Sequence, residues 1–167
     1  MNNILITGAN GFIGNNFNLF LKKKKIKNVY LTHRNYPKID RHKLSIKFDE
    51  KNKIFYVDLL KLNDVKKIFN IIRPKIIFHF AGKPRKKKIH IHSLEMVNNI
   101  IKSMDKNSLF IFTSTDKIYS LKPKDNTEVA HIKFKKLQGY EKYKYLSEKK
   151  IQKKLSKYYI FRLPPVH

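Results

Sequence analysis

The chain reads as a doubly wound α/β domain: a parallel sheet of about six strands with helices packed against it. Three observations predict this. Short apolar runs alternate with helix-spaced segments along the whole length. The runs are continuously apolar, as in Ile76-Ile77-Phe78 and Leu109-Phe110-Ile111-Phe112, the pattern of strands covered on both faces. Each cluster of glycine or polar residues with chemical interest directly follows such a run, where an open parallel sheet presents its ligand crevice. No internal repeat interrupts the alternation.

In chain order, Ile4 to Ile6 is the first strand. Gly8, Gly11 and Gly14 follow, and Phe12, Ile13, Phe17, Leu19, Phe20 and Leu21 belong to a helix that Asn15 to Lys25 completes. Lys22 to Lys25 suit its C-terminal end, where cations oppose the negative end of the helix dipole. Val29 to Thr32 is the second strand. Residues 34 to 53 are polar, broken by Pro37, and read as loop. Ile54 to Val57 is the third strand, closed by Asp58-Leu59. Leu62, Val65, Ile68, Phe69 and Ile72 recur at helical spacing. Ile76 to Phe80 is the fourth strand, followed by Ala81-Gly82. Met96 to Met104 is helical but carries no clear start signal. Leu109 to Phe112 is the fifth strand, and a polar loop with Pro123 runs to about residue 138. Tyr140 to Leu155 is a helix and Tyr158 to Leu163 the sixth strand. Residues 1–167 make one domain with a sizeable core.

Composition narrows the classes. The absence of cysteine excludes disulfides and thiolate metal sites. No stretch approaches the ~18–20 apolar residues of a membrane span, and the chain enters its first strand without a signal peptide. A cytoplasmic location is expected, with no membrane partner. Lys+Arg number 38 against 12 Asp+Glu, a net charge of +26. The lysines are spread along the chain, and arginine, the better bidentate phosphate ligand, is scarce. This reads as a biased Lys-, Asn- and Ile-rich composition. It implies non-specific polyanion affinity and no specific nucleic-acid partner.

Ile4-Leu5-Ile6-Thr7-Gly8-Ala9-Asn10-Gly11-Phe12-Ile13-Gly14 organises the rest. Strand, glycine turn and helix together suit a dinucleotide pyrophosphate. The first glycine permits the tight turn, the second lets backbone approach the phosphates, and the third lets the helix pack on the strand. The spacing is G-x-x-G-x-x-G, not the commoner G-x-G-x-x-G. Thr7 to Gly14 resembles the opening of the extended short-chain dehydrogenase/reductase family, the NAD-dependent epimerase/dehydratases. That resemblance implies a Rossmann-type domain, with Gly8, Gly11, Phe12, Ile13 and Gly14 against the cofactor.

Later segments carry the resemblance further. At the end of the second strand, Thr32-His33-Arg34 has a cation where a carboxylate would select NAD; the cofactor is NAD or NADP, with Arg34 leaning to NADP. The resemblance implies that Asp58 contacts the adenine, with the Leu59 backbone beside it; Asp58 also suits an N-cap or turn. His79-Phe80-Ala81-Gly82 resembles the family's His-x-Ala-Gly/Ala segment, and Ala81 and Gly82 would let backbone pass close to the nicotinamide half. His79 itself reads as a packed core histidine.

Phe110 to Tyr119 resembles the family's strand-five segment ending Ser-Ser/Thr-x-x-Val-Tyr, which places the hydroxyl on Thr115. Tyr140 and Lys144, four apart, share a helix face. Lys144 is expected to hold cofactor ribose hydroxyls and lower the Tyr140 phenol pKa, so that Tyr140 exchanges a proton with a sugar hydroxyl and Thr115 steadies the reacting oxygen. Tyr145 and Lys149 form a rival pair. Tyr140 is preferred because it lies 25 residues after Thr115, as the resemblance requires, and because Glu148 completes Tyr-x-x-x-Lys-x-x-x-Glu. Phe161 to His167 resembles the strand-six Arg-x-x-x-Val-Tyr-Gly segment.

The departures are specific. Glu141 stands where Gly usually follows the tyrosine, and Tyr143 where Ser precedes the lysine. Lys83 to Lys88 form a short, basic loop, suited to solvent or to substrate phosphates. The family's Asn near the next helix start has no clear counterpart. Asp116 fits the acid of the dehydratases, but Lys117 replaces their Glu, as in inverting sugar dehydratases. The family continues beyond the point reached at His167, with a last strand and a substrate domain. The resemblance implies an epimerase, reductase or dehydratase of a nucleotide-activated sugar, with a homodimer as its expected assembly. The alternative is a catalytically inactive dinucleotide-binding remnant or a basic binding module.

Overall fold

The computed structural model describes residues 2–34, 46–82, 90–119, 132 and 134–164. In order, the elements are β1 (Ile4–Thr7), α1 (Phe12–Lys23), β2 (Val29–His33), β3 (Lys47–Asp49), β4 (Ile54–Tyr56), α2 (Leu62–Ile72), β5 (Ile76–His79), α3 (Ile91–Ile101), β6 (Leu109–Thr115), α4 (Gly139–Lys154) and β7 (Tyr158–Leu163). They form a seven-stranded sheet of order β3-β4-β2-β1-β5-β6-β7. Every pairing is parallel except β3 with β4. The chain moves outward from β1 through β2 to β4, then returns to β5 on the other side of β1. The strand order therefore reverses between β1 and β5, which opens a crevice at their carboxyl ends.

Strand alternation divides the core into two layers. Leu5, Phe55, Ile77, Phe110 and Phe112 face one side, covered by Val65 and Ile68 of α2, Val97 and Ile100 of α3 and Ile151 of α4. Ile6 and Leu31 face the other, covered by Leu21 and Phe17 of α1. The Phe17 ring lies 4.5 Å from Phe78 and 5.5 Å from Phe80, centroid to centroid. Among the described residues, one helix thus covers one face and three cover the opposite face.

The expected boundaries shift in four places. The stretch read as loop contains β3, an antiparallel edge strand giving a seventh strand instead of six. It is three residues long and exposed on two of them, too short for a period-2 signal, and is held by Phe48 stacked 4.3 Å from Phe55. The helix expected from Met96 begins at Ile91 and ends at Ile101, with no side-chain cap to mark its start. The fifth strand continues through Thr113, Ser114 and Thr115, whose polar side chains are buried and whose backbones pair with Phe161, Arg162 and Leu163. The last helix starts at Gly139, in the left-handed region at φ +50°. The Lys83–Lys88 run, Asp40, Pro37, Pro123 and Pro165 to His167 lie outside the described residues.

Candidate functional site

One cleft crosses the carboxyl ends of β1, β2, β5 and β6, with Gly8, Gly11, Phe80 and Gly82 lining both of its wings. The glycine turn forms its floor. Gly8 sits at φ +71°, and a Cβ there would meet the Ala81 backbone nitrogen at 2.6 Å. A Cβ on Gly14 would run into the Gly8 carbonyl, backbone that cannot swing aside. The turn closes with the Gly11 N–H donating to Gly8 O at 3.0 Å. Gly11 is the N-cap of α1, without a side-chain cap, and no acidic residue lies in the first turn. The first-turn N–H groups and the positive dipole end therefore face the cleft available to an anion.

The first wing holds Arg34, Asp58, Leu59 and Ala81. Asp58 takes the turn role weighed for it: its Oδ1 accepts from the Leu60 N–H at 3.1 Å. Its Oδ2 lies 3.8 Å from Arg34 Nη2, a half-exposed pair of little energetic weight. The Leu59 and Leu60 carbonyls accept from Asn99 Nδ2 at 2.9 and 3.0 Å, so α3 pins this loop. The wing also contains residues the sequence did not single out, His92, Ser93 and Met96. Ser93 Oγ and His92 Nδ1 are buried without a hydrogen-bond partner among the described residues. They lie at the helix start that periodicity left undefined.

The second wing brings together Phe12, Ile13, Gly14, Thr115, Tyr140 and Lys144. Lys144 is buried; its Nζ donates to Thr113 O at 2.6 Å and sits 4.5 Å from the Phe112 ring centroid. Burial pulls its ammonium pKa down to about 8, against the opposing charge of Glu148. The Tyr140 phenol moves the other way from the expectation: burial, then the Glu141 carboxylate, raise its pKa. The reason is geometric. Lys144 Nζ is committed to the Thr113 carbonyl and stands 5.6 Å from the Tyr140 ring centroid. Thr115 Oγ1 accepts from the Lys117 N–H at 3.3 Å, capping the short 3-10 turn of Asp116–Ile118, and no hydrogen bond joins it to Tyr140 among the described residues.

The rival pair is elsewhere. Tyr145 packs on Phe134 at 5.7 Å and Lys149 lies over the Tyr145 ring; neither lines the cleft. His79 is fully buried, its Nδ1 2.6 Å from Thr7 Oγ1, and burial drives its pKa down to about 3, so the ring is neutral. Glu141, Lys117 and Ser114 also line the second wing. Ser114 Oγ, buried in the strand extension the sequence did not predict, has no partner among the described residues.

A glycine turn with no room for a Cβ at Gly8 or Gly14, an open helix N-terminus and an orphaned buried hydroxyl in each wing fit a long polar ligand laid across the strand ends. This is a dinucleotide-type crevice at the switch point of a doubly wound sheet. The model of the NAD dependent epimerase/dehydratase family matches residues 4–164, and the chain belongs to that family. Among curated proteins none matches. Solved structures of the same fold include the Bordetella bronchiseptica enzyme WbmH in complex with NAD+, 18% identical with a TM-score of 0.77, covering 98% of this chain and 56% of that one. They also include dTDP-4-dehydrorhamnose reductase from Bacillus anthracis in complex with NADP, 19% identical, TM-score 0.70, covering 98% and 53%. A third is Thermus thermophilus UDP-glucose 4-epimerase in complex with NAD, 20% identical, TM-score 0.71, covering 96% and 54%. The chain spans about half the length of these structures.

Proposed function

We propose that this chain is the cofactor-holding part of an NAD(P)-dependent enzyme that moves hydride between a nucleotide-activated sugar and a nicotinamide. The observation that carries the reading is the convergence of the glycine cradle with Thr115, Tyr140 and Lys144 on one cleft. Family membership and the NAD- and NADP-bound relatives of the same fold support it.

The glycine turn and the α1 N-terminus would take the pyrophosphate, Asp58 and Leu59 the adenine, and Ala81 and Gly82 the nicotinamide half. The bound nicotinamide supplies the hydride acceptor or donor. As a phenolate, Tyr140 Oη would take the proton of the sugar hydroxyl as the carbon bearing that hydroxyl gives up hydride to the nicotinamide, and as a phenol it would return the proton in the reverse sense. Lys144 would hold the ribose hydroxyls of the cofactor. Its ammonium must leave the Thr113 carbonyl or share it, and approach the phenol, to make Tyr140 a better base. Thr115, at the mouth of the 3-10 turn, hydrogen-bonds the reacting oxygen. Arg34 favours a 2′-phosphate, hence NADP, and must give up its weak contact with Asp58 to do so.

Titration of the polypeptide with NADH and NADPH, followed by nicotinamide fluorescence, tests this. Saturable binding is expected; no binding of either at millimolar cofactor would refute the reading.

A further inference from the structure

Glu148 lies one turn beyond Lys144 on α4 and is 1% exposed. Its carboxylate takes the Arg162 guanidinium side-on, with Nε to Oε1 at 3.2 Å and Nη2 to Oε2 at 2.8 Å. The third guanidinium nitrogen, Nη1, donates to Tyr119 Oη at 2.7 Å. The three residues come from three places: Glu148 from α4, Arg162 from β7, and Tyr119 from the end of the 3-10 turn that Thr115 caps. One planar, fully protonated group therefore ties the strand end carrying Thr115 to the helix carrying Tyr140 and Lys144.

The charges are ordered in depth. Burying a carboxylate is costly without a partner, and the bidentate fork of Arg162 supplies one. Glu148 in turn is the anion whose charge favours the ammonium of Lys144. The other groups facing Lys144 do not do this. His79 on β5 is neutral, Thr113 on β6 offers a carbonyl, Tyr140 on the same helix is a neutral phenol, and Lys117 in the same wing is a cation. Glu141 lines that wing too, but its charge acts on Tyr140.

We propose that the Glu148–Arg162–Tyr119 clamp is a positioning device for Lys144, fixing α4 against the Thr115 turn and holding a negative charge one helical turn behind the buried ammonium. None of the three lies among the residues that line the cleft. They act through Lys144. The inference rests on the proposed role of Lys144 as the cofactor-gripping group, but its test does not require turnover.

The experiment follows the ε-methylene carbon of Lys144 by NMR against pH in the 167-residue protein, with the resonance assigned by its loss in Lys144→Met. In the parent the midpoint is expected at about 8. Glu148→Gln should lower it by about one pH unit, a roughly tenfold loss of proton affinity. Tyr119→Phe removes one hydroxyl and leaves every charge in place, so it is the variant expected to keep its fold; it should move the midpoint in the same direction by less. An unchanged midpoint in folded Glu148→Gln overturns the proposal. Should Glu148→Gln not fold, an unchanged midpoint in Tyr119→Phe overturns it instead. NADH and NADPH titrations of the same samples keep the two readings apart. Failure of the parent to bind either refutes the functional reading, while the Lys144 midpoint still decides the clamp.

Discussion

The floor of the cleft and its second wing are built by different means. The glycine side is made of backbone. Gly8, Gly11 and Gly14 fall within seven consecutive residues, and what they do is leave space: the loop lies against Phe80 and Ala81 because no Cβ intervenes. The tyrosine side is made of side chains brought from far apart. Lys144 reaches Thr113, 31 residues back, and Arg162 reaches Tyr119, 43 residues back. Its buried members include Lys144, Ser114 and Thr115, with Glu148 behind them, polar groups whose burial is tolerable only where partners or a ligand meet them. A site made by leaving atoms out is rigid and locally encoded. A site made of buried charges depends on the whole fold being in place.

Substitutions in each region probe that difference. The largest effect is expected from Gly8→Ala. The left-handed conformation costs an L-residue about 1–2 kcal/mol, and overpacking against backbone adds about 1–3 kcal/mol, so urea denaturation should show a loss of about 4 kcal/mol together with lost dinucleotide binding. A loss below ~1 kcal/mol would mean that the loop can lift off Phe80 and Ala81, and the backbone-built description would fail. Glu148→Ala should cost about 3 kcal/mol by the same measurement, because it removes a fully buried carboxylate and leaves the part-buried Arg162 guanidinium without it. Near-neutral stability there would show that Arg162 finds water readily and that the second wing is less dependent on its network than argued. The smallest effect belongs to the exposed rim of the first wing. Arg34→Ala should weaken NADPH about fivefold and leave NADH nearly unchanged, the scale of a half-exposed charge contact. Equal affinities of the parent protein for the two cofactors would remove Arg34 from cofactor selection.

Elements whose signal is local were legible in the sequence. The glycine turn, the apolar runs of β1, β2, β5 and β7 and the heptad-like spacing of α2 each declare themselves within a dozen residues, because sterics and amphipathicity act over that range. The spacing from Thr115 and Glu148 singled out Tyr140 and Lys144, which line the second wing, over Tyr145 and Lys149, which do not. β3 did not declare itself, since three residues on an edge gain their pairing only from Phe55 across the ladder. Nor did the start of α3, where His92 and Ser93 enter the cleft without a capping side chain to announce it.

By itself the sequence determined the order of strands and helices, the glycine cradle and the family to which the chain belongs. Only the tertiary structure decided how the buried charges are shared. Lys144, Tyr140 and Glu148 sit on one helix in any reading of the sequence. Whether the ammonium meets the phenol or the Thr113 carbonyl depends on where β6 lies. Whether the buried Glu148 carboxylate has a partner depends on Arg162 arriving from β7. Coulomb energy and desolvation are functions of distance and burial, and those quantities exist only once strands far apart in the chain have paired.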